Sequence, residues 1–495
     1  MRYLSTRDKT VRVQAAHAIA QGLSQDGGLF VPEVLPGVSR AQIQSMCEMS
    51  YKQRAVYLMG SFLKDFTAAE ITNFAERAYS ARGFDTPDIA PLVKQAEDTW
   101  FLELWHGPTA AFKDMALQML PYLLTAALEK TGEQRQVCIL VATSGDTGKA
   151  ALEGFRDVPQ TKILVYYPKD GVSAVQELQM VTQAGLNVGV LGVNGNFDDA
   201  QAGVKQIFND RDFAHELAEQ GYFLSSANSI NWGRLLPQIV YYVSAYCDMV
   251  NAGRITVGDP VNFAVPTGNF GNILAGFYAK QMGLPVGRLI CASNENNVLT
   301  DFIRTGVYDR NRPFHTTISP SMDILISSNL ERLLFALSDG ADQETAGYMR
   351  KLSEVGRYTV SKKIKAAIDQ AFWADYCDDK RTQEVIRQVF ETSGYLMDPH
   401  TAVAYEVQER YKAETGDKTP TVILSTASPY KFADSVLAAL GDGEQATDLT
   451  CIDRLAERTG KTPPQPLVAL KGKRQRFGEV VEKDEMRQAV RSFLR

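Results

Sequence analysis

The chain has 495 residues, 45 % hydrophobic and 22 % charged, with a net charge of −6. That is the composition of a folded globular protein of two or three domains, and the acidic balance argues against nucleic acid as a partner, which asks for a basic face. No apolar run approaches the roughly 20 residues of a membrane helix, so no membrane is expected as a partner either. The start, MRYLSTRDKTVRVQAA, lacks the apolar core of a secretory signal. The six cysteines (Cys47, Cys138, Cys247, Cys291, Cys377, Cys451) are scattered, as reduced thiols are. Together these features point to the cytoplasm. The five histidines show no paired ligand spacing, so no metal site is expected.

Residues 1–92 read as a separate, mostly helical cap. AQIQSMCEMSYKQRAVYLMGSFL and TAAEITNFAERAYSARG have apolar residues at helical spacing. DGGLFVPE reads as a turn entering a Pro-stopped extended segment.

Next comes HGPTAAFKDMALQML, residues 106–120, a polar turn opening an apolar helix. Lys113 stands near its start, between Phe112 and Asp114, where the positive end of a helix disfavours a cation. An apolar setting and that helix end both lower an amine's pKa, which suits it to form a Schiff base with a carbonyl. The plainer alternative is a lysine that reaches water and pairs with Asp114 or another acid.

Between 93 and 440 short apolar runs alternate with helical stretches: VCILVA, KILVYYP, NVGVLGV, VNFAVP, RLICAS and TVILST. Strand, helix, strand in succession predicts parallel sheets covered by helices, an α/β core. Ligands then bind beyond the carboxyl ends of the strands. After VCILVA comes Thr143-Ser144-Gly145-Asp146-Thr147-Gly148, hydroxyls and amides leading into a helix, a candidate anion site. It is not a nucleotide P-loop, because Thr143 stands where that motif needs glycine and Ala150 where it needs Ser or Thr. SSANSINWGRLLPQ offers Asn228, Ser229, Asn231 and Arg234, which suit a second oxyanion or else a capped helix with a surface arginine. After VNFAVP, Gly268-Asn269-Phe270-Gly271-Asn272 enters a helix with glycines that let backbone approach a phosphate. Thr426 and Ser428 follow the last apolar run, as pocket hydroxyls or as a strand-end cap. Residues 441–495 form a C-terminal extension packing on the core. Its charged end, KGKRQRFGEVVEKDEMRQAVRSFLR, predicts a solvated surface helix.

A Schiff-base lysine, a Gly/Asn loop for a phosphate, a Ser/Thr/Gly loop and an Arg/Ser/Asn cluster together describe a pyridoxal 5′-phosphate site. YLSTRD, DGGLFVPE, HGPTAAFKD, ATSGDTGKAA, NSINWGR, PTGNFGNILAG, SNENNVL and STASPYKF occur in that order along the chain. In these motifs the chain resembles the threonine synthase family, which shares its fold with tryptophan synthase β and cysteine synthase. The resemblance implies a tryptophan synthase β-like core (fold type II of the pyridoxal-phosphate enzymes) of two α/β subdomains. It implies that Lys113 carries the cofactor, and that Phe112, Gly268, Asn269, Phe270, Gly271, Asn272 and Thr426 contact it, Thr426 at the pyridine nitrogen. It further implies that Ser144, Gly145, Asp146 and Thr147 receive a substrate carboxylate, and that Asn228, Ser229, Asn231 and Arg234 receive the phosphate of O-phospho-L-homoserine. The implied enzyme is a lyase making L-threonine, as a monomer or homodimer. A phospho-lyase or threonine dehydratase on the same scaffold, or a non-catalytic anion- or metabolite-binding protein, are the alternatives. The chain departs from the family pattern at Ser428 and Tyr430, where many members read STAHPAKF, and at Asn297, where several read NEND.

Overall fold

Each of the six apolar runs is a buried strand: Gln136–Ala142, Thr161–Pro168, Val188–Val193, Val261–Pro266, Val286–Ser293 and Thr421–Ser425. Their burial is nearly continuous, as helices on both faces of a sheet require. In the computed structural model, which describes residues 1–442 and 449–495 (of Asp198 the backbone alone), they sort into two sheets. The larger runs in the order Phe372–Tyr376, Val286–Ser293, Val261–Pro266, Thr421–Ser425, Thr99–Glu103, Leu92–Lys94, parallel except for the last strand. The smaller runs Val480–Val481, Val188–Val193, Thr161–Pro168, Gln136–Ala142, Tyr222–Ser225, all parallel. The α/β architecture is the one expected. Three strands of these sheets, Thr99–Glu103, Tyr222–Ser225 and Phe372–Tyr376, lie in stretches where aromatic and polar residues mix and no clean apolar run marks them.

The helix Trp232–Asn251 runs through the middle of the molecule and is buried over most of its length. The N-terminal segment packs on it. Arg54, 4 % exposed, donates to the Ser244 hydroxyl and to Asp248 on that helix. The long helical pattern after residue 40 breaks into Arg40–Cys47 and Tyr51–Phe62, because Ser50 starts a new helix with its own capping box to Gln53. Thr67 and Glu70 cap Ala68–Ala78 in the same way. A small antiparallel sheet, Arg12–Val13, Tyr3–Ser5, Phe30–Pro32, accompanies these helices.

The C-terminal expectation needs correction. Only Met486–Leu494 of the charged end is helical, and it is not merely solvated. Met486, Val490 and Leu494, four residues apart, sit in the apolar cluster beneath the smaller sheet. Val480–Val481 adds an edge strand to that sheet. The charges that dominate this stretch conceal three apolar positions on one face.

Candidate active site

Lys113 is placed by a turn pinned to the end of the Thr421–Ser425 strand. The Phe112 amide donates to the Thr426 carbonyl at 2.7 Å, and Ala111 bridges Ala427. Asp114 does not pair with the lysine. Its carboxylate accepts from the Thr109 amide at 2.8 Å and the Thr109 hydroxyl at 2.7 Å. Lys113 is 8 % exposed, and its Nζ lies 4.6 Å from the centre of the Phe112 ring. Burial is the largest influence and lowers the amine's pKa to about 8; Asp146 opposes it, while Arg234 and Lys431 add to it. The direction is the expected one, and of the two expected causes the apolar setting is the one that acts. The helix after Lys113 spans four residues, Asp114–Leu117, too short to supply a strong dipole, and desolvation does the lowering.

The Gly268–Asn272 loop is a cradle of unengaged donors. Among the described residues, the amides of Asn269, Phe270, Gly271, Asn272 and Ile273 donate to no protein acceptor. Phe270 holds the loop's bend with φ of 61°, a conformation costly for a side-chain-bearing residue and characteristic of ligand clamps. Asn272 Oδ1 accepts from the Tyr241 and Tyr242 hydroxyls at 2.6 and 2.9 Å, and its buried Nδ2 has no partner among the described residues. A Cβ on Gly268 would lie 2.4 Å from the Ser321 carbonyl oxygen, so the loop tolerates only glycine there without a shift. The Asn329 amide clamps the loop to the next segment, donating to the Asn269 carbonyl at 3.0 Å and to Ser229 Oγ at 2.8 Å.

Opposite stands the Ser144–Thr147 loop. Thr143 Oγ1 accepts from the amides of Gly145 and Gly148 at 3.0 and 2.8 Å. The Ser144, Asp146 and Thr147 amides keep no protein acceptor among the described residues. Gly145 itself does not line the cavity; a Cβ there would meet the Gln176 side chain. Asp146 accepts from Lys431 Nζ at 2.7 Å, Gln176 Nε2 at 2.9 Å and the Ser321 hydroxyl at 3.3 Å. Burial alone would raise its pKa, but Lys431 and then Lys113 outweigh that and hold the carboxyl far below the usual range. An anionic side chain does not receive a carboxylate, so only the backbone of Asp146 suits that expected role.

Asn228, Ser229 and Arg234 line the same cavity. Arg234, 5 % exposed, donates through Nη1 to the Ala227 carbonyl at 2.7 Å and through Nη2 to Thr147 Oγ1 at 3.5 Å, and its buried Nε has no partner among the described residues. Burial lowers its pKa to about 10, which leaves it a cation. Asn231 is not part of the cavity. It caps the Trp232–Asn251 helix through the Gly233 amide and donates to the Ile19 carbonyl.

Three cavity-side residues carry no role from the sequence. Ser321 and His400 line the cavity, and Lys431, fully buried, reaches Asp146 and the Thr109 carbonyl. Lys431 lies within the quoted STASPYKF. Ser321 follows no apolar strand run, and His400 sits in a helix-start pattern, Asp398-Pro399, that reads as a cap. The departures at Ser428, Tyr430 and Asn297 leave the cavity wall untouched. Ser428 caps the Pro429–Phe432 turn, the Tyr430 hydroxyl donates to the Lys461 carbonyl, and Asn297 accepts from Arg312.

A buried lysine of lowered pKa, a loop of free amides with an unpartnered amide group, and a buried arginine with a spare donor fit a phosphorylated aldehyde cofactor. Residues 86–361 match the family model described as "Pyridoxal-phosphate dependent enzyme", and this is the class the fold and site define; the cofactor is pyridoxal 5′-phosphate. Residues 2–79 and 401–493 match models described as "Threonine synthase N terminus" and "Threonine synthase, C-terminal". The chain is 38 % identical over 466 residues to "Threonine synthase" of Saccharomyces cerevisiae, covering 88 % of this chain and 89 % of that protein. It is 43 % identical over 436 residues to "Threonine synthase-like 1" of Homo sapiens, covering 86 % of this chain but spanning only 58 % of that relative. The solved structure "X-Ray crystal structure of PLP bound Threonine synthase from Brucella melitensis" is 37 % identical, covers 100 % of both chains and superposes with a TM-score of 0.87. The chain belongs to the threonine synthase family. Among the described residues no helix is long and apolar enough to cross a membrane.

Proposed function

We propose that this chain converts O-phospho-L-homoserine and water to L-threonine and phosphate, the last step of threonine biosynthesis, as a cytoplasmic monomer or homodimer that needs no nucleic acid. The observation that carries this reading is one cavity holding a buried amine of lowered pKa, the free-amide cradle at Gly268–Asn272 and the spare donor of Arg234. Pyridoxal 5′-phosphate, when bound through Lys113, supplies an electron sink for the negative charge left when protons leave carbon.

Phe112 stands at the Lys113 side of the cavity. The amides of Asn269 to Ile273 and Asn272 Nδ2 hold the cofactor's phosphate. Thr426 offers a hydroxyl, not a carboxylate, to the pyridine nitrogen. The Ser144, Asp146 and Thr147 amides bind the substrate carboxylate at the positive end of the helix they start. Once released, the Lys113 amine takes and returns protons at Cα and Cβ; a pKa near 8 leaves it competent in both directions near neutral pH. Arg234, with Asn228 and Ser229, stabilises the departing phosphate. Lys431 keeps Asp146 paired while Lys113 is engaged elsewhere, so no buried carboxylate is left alone.

Incubation of the purified protein with O-phospho-L-homoserine and identification of all products tests this. Threonine with equimolar phosphate is expected. 2-Oxobutyrate with phosphate would replace the synthase with a phospho-lyase, and no turnover by the cofactor-loaded protein would leave only the binding reading.

A further inference from the structure

A string of hydrogen-bonded residues, buried at its far end, leads to the reactive amine. Asp398 is fully buried at the start of the Pro399–Thr415 helix. Its Oδ2 lies 2.6 Å from His400 Nδ1. A carboxylate only accepts, so the hydrogen on this bond belongs to Nδ1, and because the backbone amide that meets Nε2 can only donate, Nε2 carries a lone pair. His400 Nε2 accepts the Ser321 amide at 3.1 Å. The Ser321 hydroxyl in turn stands 3.3 Å from Lys113 Nζ and 3.3 Å from Asp146 Oδ2. Lys113 and Asp146 are themselves 3.7 Å apart, too far for a direct hydrogen bond. The contact between the amine and its counter-ion therefore runs through Ser321.

The turn bearing Ser321 is held from several sides. Asp323 accepts from the Thr317 amide and hydroxyl and from Asn294 and Asn296, and the Ser321 carbonyl packs on Gly268. Those contacts fix the course of the turn, and His400 takes the amide of Ser321 itself. The lysine has four carbons of flexible stem. Besides Ser321, its Nζ has the Phe112 ring at 4.6 Å and Asp146 at 3.7 Å, and neither directs an N–H or a lone pair as a hydrogen bond does.

We propose that Ser321 is a positioning residue for Lys113, and that Asp398 and His400 hold in place the hydroxyl that aims the amine. The inference rests on Lys113 being the cofactor-bearing lysine. A misplacement of about 1 Å in a reacting group costs about 100-fold in rate, and the loss of this hydroxyl is expected to approach that.

The test mixes cofactor-free protein with pyridoxal phosphate, follows the rise of imine absorbance, and maps the borohydride-fixed label by peptide mass spectrometry; kcat and KM are measured alongside. Ser321→Ala should slow cofactor uptake and kcat by about 10- to 100-fold while KM for O-phospho-L-homoserine moves less than about threefold. His400→Leu, which offers Ser321 no acceptor, should reproduce that loss. His400→Gln, whose amide oxygen can take the Ser321 N–H, should recover to within about fivefold of the native rate. A label on another lysine in the native protein takes down the proposed function and the inference together. A label on Lys113 with Ser321→Ala at the native uptake rate overturns the positioning role alone, as would a folded His400→Gln no faster than His400→Leu. Should His400→Leu fail to fold, the Ser321→Ala rates decide.

Discussion

The loops at Ser144–Thr147 and Gly268–Asn272 share one plan, a buried strand running through small residues into a helix, yet they are opposite electrostatically. At Gly268–Asn272 five successive amides, Asn269 to Ile273, have no acceptor among the described residues, and no carboxylate stands among them. At Ser144–Thr147 the Thr143 hydroxyl has already engaged the Gly145 and Gly148 amides, and Asp146 puts a full negative charge at the helix start. A helix N-terminus is thus no anion site by itself; what matters is which of its donors are already engaged and what charge its first residue carries. On the proposed reading the Gly268–Asn272 loop is the one that grips a dianion. The Ser144–Thr147 loop is built to hold a cation pair in place and leaves only three amides for a ligand.

The sharpest break of this contrast is Asp146→Asn. Lys431 is 0 % exposed and Lys113 is 8 % exposed, and Asp146 is the acidic partner of both among the described residues, so removing its charge leaves two buried amines without their ion pair. Breaking a buried pair in this way costs about 3–5 kcal/mol. A urea-unfolding midpoint should fall accordingly; an unchanged midpoint would mean that Lys431 is paired by something other than Asp146. On the other loop the matching change is Gly268→Ala. Its Cβ would lie 2.4 Å from the Ser321 carbonyl oxygen, so one of the two segments must move. Because the amides work only as a fixed set, cofactor affinity should drop about 100-fold, read by absorbance titration of the cofactor-free protein. Stability should suffer less than in Asp146→Asn, since no charge is stranded.

Both loops were legible in the sequence, because an unbroken apolar run ending in Gly, Ser, Thr or Asn marks a parallel strand and its ligand-facing end. The six strands were legible on the same ground. The helix start at Arg234 and the turn at Lys113 were legible as places; of the two causes expected for the amine's lowered pKa the apolar setting held and the helix end did not, since the length of the helix that follows depends on packing that spacing does not encode. Ser321, His400 and Lys431 were illegible for a related reason. They arrive at the site from a short turn, a helix cap and a second turn, each ordinary locally, and only the tertiary fold brings them within reach of Asp146 and Lys113.

The pH dependence separates the two loops more finely. With a Lys113 pKa of about 8, the neutral amine is the minor form below that pH and grows as pH rises. Cofactor uptake should therefore climb about tenfold per pH unit below the midpoint and level above it, measured by stopped-flow absorbance. Asp146 is the influence that raises this pKa against burial. In folded Asp146→Asn the midpoint should move to lower pH, whereas in Gly268→Ala it should stay, because that loop contributes donors and no charge. A midpoint that shifts equally in both variants would erase the electrostatic distinction between the loops.

The smallest effect lies at Asn231, which shares a motif with Arg234 but not its surroundings. Its Oδ1 accepts the Gly233 amide at 2.9 Å and its Nδ2 donates to the Ile19 carbonyl at 3.0 Å, so every polar atom of the side chain is engaged within the protein. Arg234, three positions on, lines the cavity and retains a buried Nε with no partner among the described residues. Asn231→Ala should therefore cost about 1 kcal/mol of stability, the ordinary value of a helix cap, with KM for O-phospho-L-homoserine nearly unchanged. Arg234→Ala should instead raise KM and lower the rate of phosphate loss. If Asn231→Ala raised KM as Arg234→Ala does while the melting temperature held, the capping geometry would have to give way to a substrate contact, and the donor count assigned to the second oxyanion site would rise by one.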